Sequence, residues 1–137
     1  MSPELDRLLV RKFPKLYRGK GYDIPNVYWG FECGDGWFEV IHNLSLELEK
    51  LIPNGDPAPR ALQVREKYGA MEFRLYDPTD QMKMLVKSAE ELTLTICETC
   101  GQSGSLRDRT YWKFVACDKH SEDFSSLTTE LSSRRDQ

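Results

Sequence analysis

The chain has 137 residues, of which 39% are hydrophobic and 30% are charged, and its formal net charge at pH 7 is −3. Such a chain is long enough to bury a core and fits one globular unit with a small appended module. The charge balance is neither the strongly basic one typical of nucleic-acid-binding proteins nor the acidic one of their mimics.

The sequence shows no targeting or membrane segment. No apolar run approaches the roughly 18 residues that cross a bilayer, and residues 1–9 lack the apolar stretch of a signal peptide. We therefore expect a cytoplasmic protein that does not contact a membrane. In a reducing compartment, the four cysteines are expected to be metal ligands or buried thiols rather than disulfides.

The first predicted element is a helix over residues 2–18. Ser2 is a suitable N-cap, Pro3 fits the first helical turn, and leucines recur behind them at helical spacing. Pro14 lacks a backbone donor, so we expect it to kink or end the helix near that position. The glycine-rich residues 19–25 that follow predict a loop.

A second helix is predicted from about Gly36 to Ile52, after a segment rich in aromatic residues. Asp35 is its predicted cap, and one apolar stripe is expected to face the core. The stripe consists of Trp37, Ile41, Leu44, Leu48 and Leu51. We interpret the aromatic side chains mainly as core, with Trp29 and Phe38 as the candidates for an exposed partner surface.

A β-hairpin and a third helix are predicted next. Residues 62–67 and 71–76 both alternate apolar and polar side chains around Gly69, the pattern of two strands joined by a tight turn. Asp77 and Pro78 then supply the predicted cap and first turn of a long helix. Its predicted buried face consists of Met82, Leu85, Val86, Ala89, Leu92 and Ile96.

The strongest chemical signal is a Cys-x-x-Cys pair at Cys97 and Cys100, followed by a Cys-x-x-His pair at Cys117 and His120. Zinc favours four sulfur or nitrogen ligands in a tetrahedron, and each pair can hold one side of such an ion. Gly101, which follows the first pair, allows backbone amides to approach the sulfurs. We therefore predict one zinc ion bound by these four side chains.

The segments around the two ligand pairs predict a small zinc module. Residues 105–109 and 111–116 are expected to form a second hairpin between the pairs, and the second pair lies where a helix begins. This order is that of a treble-clef module, and a zinc ribbon is the close alternative. Four protein ligands leave no position for water, so the zinc is expected to be structural rather than catalytic. Buried cysteines without metal, or a redox pair, are the competing interpretations.

The predicted fold class is α+β, with helices packed on a β-hairpin and followed by the zinc module. We place the α+β domain at residues 1–96, the zinc-binding module at 97–124, and a short helix or disordered tail at 125–137. The tail is rich in Ser and Thr, and we expect it to fray.

Basic and aromatic residues occur together in the predicted second hairpin. Arg107, Arg109 and Lys113 lie near Trp112 in the sequence, a combination typical of modules that contact nucleic acid. The negative charge of Asp108, between two of these residues, lowers the net positive charge of the segment. Nucleic-acid binding is therefore an alternative function, and a solvated edge with Trp112 packed inward is the simpler interpretation.

A further alternative is a small-ligand-binding protein or an enzyme with a pocket near Cys33, Asp35 and His42. A cysteine nucleophile needs a partnered base, and His42 on the following helix is the candidate. A small buried thiol and an ordinary histidine are the simpler interpretations. We find no other catalytic constellation, so an enzyme is not the favoured interpretation.

Several separated motifs occur in one order. They are Trp29-Gly30-Phe31-Glu32-Cys33-Gly34-Asp35-Gly36-Trp37, Gln63-Val64-Arg65-Glu66-Lys67-Tyr68-Gly69 with Phe73-Arg74, Glu90-Glu91-Leu92, and the two ligand pairs. In these motifs, over about residues 5–122, the chain resembles a family of small, mostly uncharacterised phage and prophage proteins. The resemblance implies a phage-encoded accessory protein in the bacterial host cytoplasm that binds and modulates a host protein, such as an antiviral-defence factor. It implies no catalytic residue.

Overall fold

A computed structural model of the chain describes residues 1–18, 30–55, 58–109 and 112–121. Within these ranges the fold mixes helices with two small antiparallel hairpins, as the sequence predicts. The elements, in chain order, are α1 (Pro3–Lys12), a short 3-10 helix (Asp35–Trp37), α2 (Phe38–Leu51), β1 (Arg60–Lys67), β2 (Ala70–Tyr76), α3 (Asp80–Thr93), β3 (Ser105–Arg109) and β4 (Trp112–Ala116).

Some predictions lie outside the described residues. These are the loop at 19–25, the placement of Trp29 on a partner surface, and the short helix or disordered tail at 125–137. For Arg109 the structure describes the backbone, which belongs to β3, and not the side chain.

Helix α1 begins as predicted and ends earlier than predicted. The Ser2 hydroxyl accepts the N–H of Leu5 at 3.4 Å, and Pro3 lies in the first turn. The helix stops at Lys12, two residues before Pro14, because proline cannot continue the backbone hydrogen-bond ladder. The chain then continues in turns that bury Tyr17 against the core.

Helix α2 buries the predicted stripe but is capped differently. Trp37, Ile41, Leu44 and Leu48 are all buried, and Leu51 is half-buried. Asp35 does not cap the helix that follows it, which has no side-chain cap. Its carboxylate instead accepts the backbone N–H of Ser2 at 2.7 Å, and so it ties the start of α1 to the segment before α2.

Helix α3 begins at Asp80, and its N-cap is Thr79 rather than the predicted Asp77. The Thr79 hydroxyl accepts the N–H of Met82 at 3.2 Å, while Asp77 has a φ of 50° and turns the chain before the helix. The prediction that Leu92 is buried is wrong, since its side chain is 50% exposed. The residue that faces the hairpin at this end of the helix is the neighbouring Thr93, which is fully buried.

The first hairpin has the turn expected of a two-residue connection. Tyr68 and Gly69 have φ of 53° and 89°, the left-handed backbone that both central residues of a type I′ turn require. This turn matches the right-handed twist of paired strands and places Val64 opposite Phe73 in the core.

Both outer edges of this hairpin are covered in part. At β1, Glu32 donates its N–H to the carbonyl of Val64 and accepts the N–H of Glu66. At β2, the N–H of Met71 donates to the Thr93 hydroxyl at 3.1 Å, and the N–H of Phe73 donates to the carboxylate of Glu90 at 2.9 Å. Covered edges leave fewer unpaired backbone groups that could recruit another strand.

The core joins the three helices to the first hairpin and reaches into the second. Among its fully buried members are Leu9, Phe13, Leu16, Tyr17, Trp37, Ile41, Leu48, Val64, Met82 and, from β4, Val115. The Tyr17 hydroxyl and the Ser45 hydroxyl form a buried hydrogen bond at 2.6 Å. In the part of the chain that the structure describes, no helix combines the length and apolar character that crossing a bilayer would require.

We predict that replacing Thr93 by Val lowers the free energy of unfolding by about 1–3 kcal/mol, because it leaves the Met71 N–H buried without an acceptor. The matched control is Thr95→Val, at an exposed threonine whose hydroxyl bonds only the carbonyl of Leu92. The control should change stability by less than about 0.5 kcal/mol. Urea denaturation measures the free energy of unfolding of both variants. Equal effects would show that the hydrogen bond from Met71 to Thr93 does not stabilise the fold.

Candidate metal centre

Four side chains from the C-terminal part of the described chain converge on one point. One ligand atom each from Cys97, Cys100, Cys117 and His120 lies within 4.8 Å of the other three. The sequence prediction therefore grouped the right residues, and the arrangement is compatible with a metal site.

Three of the distances between ligand atoms are close to the edges of a metal-centred tetrahedron. Metal–sulfur bonds of roughly 2.3 Å place two ligand sulfurs about 3.8 Å apart, and a sulfur and a nitrogen slightly closer. The sulfurs of Cys100 and Cys117 are 3.8 Å apart, and Nδ1 of His120 lies 3.5 Å from the sulfur of Cys97 and 3.1 Å from that of Cys117. The donor set thus has both the chemistry and the spacing that a tetrahedral ion needs.

The first two ligands lie on a tight backbone turn, residues 97–101, which we call the knuckle. The N–H of Gly101 donates to the carbonyl of Cys97 at 2.9 Å, and the N–H of Cys97 donates to the carbonyl of Gln102 at 2.8 Å. Gly101 has a φ of 81°, a left-handed conformation that glycine adopts without a steric penalty. This turn directs the sulfurs of Cys97 and Cys100 towards the same point.

The second two ligands lie where β4 passes into a helical turn. Cys117 directly follows the strand, and residues 118–121 are helical, with the N–H of Ser121 donating to the carbonyl of Cys117 at 2.9 Å. Within one helical turn, residues three apart share a face, which brings the His120 ring beside the Cys117 sulfur. The order of knuckle, hairpin and helical turn is the one predicted from the sequence.

The environment of Cys97 favours its thiolate form. Burial alone would raise its pKa, but the backbone N–H groups of Cys117, Cys100 and Thr99 donate to its sulfur and lower the pKa to about 6. For Cys100, the N–H of Gln102 favours the thiolate, yet the neighbouring sulfurs of Cys97 and Cys117 raise its pKa. One thiolate is therefore ready at neutral pH, and a metal ion would have to displace the proton of Cys100.

The knuckle is attached to the body of the protein through the segment before α2. The N–H of Gly36 donates to the backbone carbonyl of Glu98 at 2.8 Å, and the N–H of Gly34 donates to its carboxylate at 2.8 Å. The indole N–H of Trp37 donates to the carbonyl of Ile96 at 2.9 Å. The two bonds to Glu98 cross the predicted boundary after residue 96, and the division into domains at that boundary stays a prediction.

Sequence reasoning missed this attachment. It interpreted Gly34 and Gly36 as a turn and helix start, whereas a Cβ on Gly36 would clash with the carbonyl oxygen of Cys97, and one on Gly34 with that of Glu98. The available signal was two closely spaced glycines in a segment without a phosphate-binding pattern. Glu98 itself carries a raised pKa, first because it is partly buried and further because the Glu66 carboxylate lies near it.

One basic residue of the second hairpin, Arg107, forms bonds within the candidate metal centre. The guanidinium of Arg107 donates to the carbonyl of Ala116 at 3.2 Å and to the carboxylate of Asp118 at 2.9 Å. It therefore joins β3 to the helical turn that carries His120. Lys113 is exposed and the Trp112 side chain is 56% exposed, which contradicts the interpretation that Trp112 packs inward. Nucleic-acid binding by this hairpin stays a prediction.

The residues of the predicted pocket are placed in separate surroundings. Cys33 is a buried thiol, as the simpler interpretation expected, and burial is the main cause that raises its pKa to about 12. His42 has its Nε2 2.7 Å from the ammonium of Lys12, and its ring lies against those of Phe13 and Phe38. Phe38 is half-buried, and among the described contacts none joins Cys33 to His42.

No family model, curated protein or solved structure matches this chain. The argument for a metal centre is therefore carried by the residues themselves: the type of their ligand atoms, their spacing and the backbone that positions them.

We predict that Gly36→Ala weakens binding of a divalent ion by about tenfold to a hundredfold, because the added methyl group displaces the knuckle. The matched control is Gly55→Ala, at a glycine with a φ of 96° and no neighbouring atoms. The control should cost on the order of 1 kcal/mol of stability and leave metal affinity unchanged. Titration with Co²⁺, whose absorption reports thiolate ligation, measures the affinity. Equal affinities in the two variants would contradict the attachment.

Proposed function

We propose that this chain binds one zinc ion through Cys97, Cys100, Cys117 and His120, in a small module of the treble-clef type. The observation that carries the proposal is the convergence of four ligand atoms within 4.8 Å from a knuckle and a helical turn. Three sulfurs and one imidazole form a ligand set that selects zinc among the common divalent ions. The element order, with a helical turn after the hairpin, favours a treble clef over a ribbon.

The zinc ion has a structural role in this proposal. Four protein ligands leave no coordination position for water or a substrate. The local apolar cluster beside the ligands is small and consists of Cys97, Phe114 and Ala116, with Cys117 packed against it. Ordering the knuckle, the hairpin and the helical turn costs conformational entropy, and burial of so small a cluster offsets little of that cost. In this proposal, metal binding provides the remaining free energy.

We predict about one zinc ion per purified chain and loss of that ion in Cys100→Ser, which removes a ligand exposed on the surface. The matched control is Cys33→Ala, because Cys33 is the cysteine outside the cluster and its thiol remains protonated. Elemental analysis by mass spectrometry measures both. A wild-type protein without metal, or equal zinc in both variants, would overturn the proposed centre.

We further propose that the zinc-containing protein is a non-enzymatic accessory protein of the phage type, which binds and modulates a host protein such as an antiviral-defence factor. The motif resemblance supports this class. The closed ligand set and the buried, protonated Cys33 also support it, because neither offers a reactive group to a substrate.

The surface of the two hairpins supports a protein partner. Tyr68, Leu106 and Trp112 are 78%, 46% and 56% exposed. They lie on adjoining segments, since the backbone of Gly69 is packed against the Leu106 side chain and the chain at Lys113. Leu106 and Trp112 lie on opposite faces of the second hairpin, because Leu106 pairs with Val115 and Trp112 with Arg109, so the proposed surface consists of Tyr68 and Trp112. Exposed aromatic side chains on adjoining segments are typical of partner-binding surfaces.

We predict that a bacterial host protein captured by this chain will bind it saturably once both are purified. Replacing Tyr68 and Trp112 by Ala should weaken that binding by about 2 kcal/mol or more, roughly thirtyfold in Kd. The control is Met84→Ala, at a side chain that is 71% exposed on α3. Calorimetric titration measures the affinities. Absence of any saturable host partner, or equal losses in both variants, would contradict the proposed function.

A further inference from the structure

A cavity of about 300 Å³ lies between the knuckle and the second hairpin. Glu66, Glu98, Trp112 and Phe114 are among its lining residues. Glu98 lies inside the knuckle, between the ligands Cys97 and Cys100, whereas the two aromatic residues lie on β4. The knuckle and β4, which the proposed metal ion would hold together, therefore form part of the cavity wall, and Glu66 of β1 and Gly34 complete it.

Two carboxylates, those of Glu66 and Glu98, line the cavity. Glu66 accepts the N–H of Gly69 at 2.7 Å, and Glu98 accepts the N–H of Gly34 at 2.8 Å, each through one of its two oxygens. Within the described ranges neither carboxylate forms an ion pair. A positive group entering the cavity would relieve the repulsion between the two carboxylates.

The cavity also has an aromatic lining, from Trp112 and Phe114. Trp112 and Phe114 are two residues apart on β4, so their side chains lie on one face of the strand. The Trp112 ring is more than half exposed beside the cavity, and Phe114 is buried behind it. Aromatic faces attract organic cations, and carboxylates add hydrogen bonds to their N–H groups. A bare metal ion would gain nothing from the aromatic wall.

We propose that this cavity binds the guanidinium or alkylammonium group of a basic side chain, presented by the partner protein. Its volume is at the lower limit of ligand pockets and fits one such group rather than a whole metabolite. Trp112 also belongs to the exposed hairpin surface, so a side chain that enters the cavity comes from a molecule bound to that surface. The assignment to a partner's side chain rests on the proposed host-binding function.

The test is a titration of the full-length, metal-loaded protein with ethylguanidinium chloride at constant ionic strength, followed by amide and indole NMR shifts. Saturable shifts are expected at Gly34, Thr99 and the Trp112 indole. The neutral isostere N-ethylurea should leave these signals unchanged, because it has a similar shape without the charge. Shifts that do not saturate, or equal shifts with both compounds, would overturn the proposal.

A second arm separates a free cation from a side chain on a polypeptide. A capped Gly-Gly-Arg-Gly-Gly peptide should bind at least as tightly as ethylguanidinium, since the mouth of the cavity is open beside Trp112. If ethylguanidinium saturates the site and the peptide does not bind, the cavity takes small cations only, and the assignment to a partner side chain is wrong.

The carboxylates are tested with charge-removing variants that keep an oxygen acceptor for the bound backbone N–H groups. Glu66→Gln combined with Glu98→Gln should weaken ethylguanidinium binding by about tenfold or more. Glu47→Gln, at an exposed glutamate paired with Lys50 on α2, should leave it unchanged. If the double variant does not fold, Glu66→Gln alone decides the question, since Glu66 lies on β1, outside the knuckle and the segment that carries Cys117 and His120. Unchanged affinity in either folded variant would overturn the proposal.

The metal content of the same samples is measured separately, so the two proposals can fail independently. A protein without zinc that still binds ethylguanidinium saturably would refute the proposed zinc centre and support the cavity. A zinc-loaded protein that does not bind the cation would refute the cavity and leave the zinc centre supported.

Discussion

The close approach of the knuckle to the segment before α2 is the contact on which the C-terminal half of the structure depends. The N–H groups of Gly34 and Gly36 bond the carboxylate and the carbonyl of Glu98, and neither glycine has room for a Cβ. Because the knuckle carries Cys97 and Cys100, this contact sets where half of the ligand set lies relative to the helical core. The other half follows β4, whose Val115 is part of that same core.

This arrangement makes the metal centre and the body interdependent. The core positions both the knuckle and β4, and a bound ion would in turn hold them together at a point where few apolar side chains are buried. The thiolate form of Cys97 is also favoured without an ion, because backbone N–H groups that donate to its sulfur lower its pKa to about 6. The centre is thus organised by backbone geometry in advance of its ligand.

The same geometry explains why the proposed partner surface and the candidate metal centre are neighbours. The tip of the first hairpin packs against the second, which places Gly69 against the Leu106 side chain and Glu66 in the cavity that Trp112 borders. A structural ion that orders the second hairpin would therefore also order the surface proposed to meet a partner. The proposed functions of the ion and of the surface are linked by this packing rather than by chemistry at the metal.

Most of the local structure could be predicted from the sequence. The helices, both hairpins and the four ligands were located from features that act over a few residues: the period of apolar side chains, proline and glycine positions, and the spacing of cysteine and histidine. The prediction that Asp77 caps α3 was wrong because Thr79, two residues later, is also a suitable cap. The Thr79 hydroxyl is the group that caps the helix.

The remaining features depended on which distant segments meet. Asp35 serves Ser2 rather than its own helix, Arg107 is engaged with Asp118, and Leu92 is half exposed. The roles of Gly34, Gly36 and Glu66 likewise depend on residues tens of positions away. The sequence by itself determined the elements and the grouping of three cysteines and one histidine, because these follow from short-range stereochemistry and the spacing of the residues. Only the tertiary structure decided the attachment of the knuckle and the charged cavity, because packing alone specifies contacts between remote side chains.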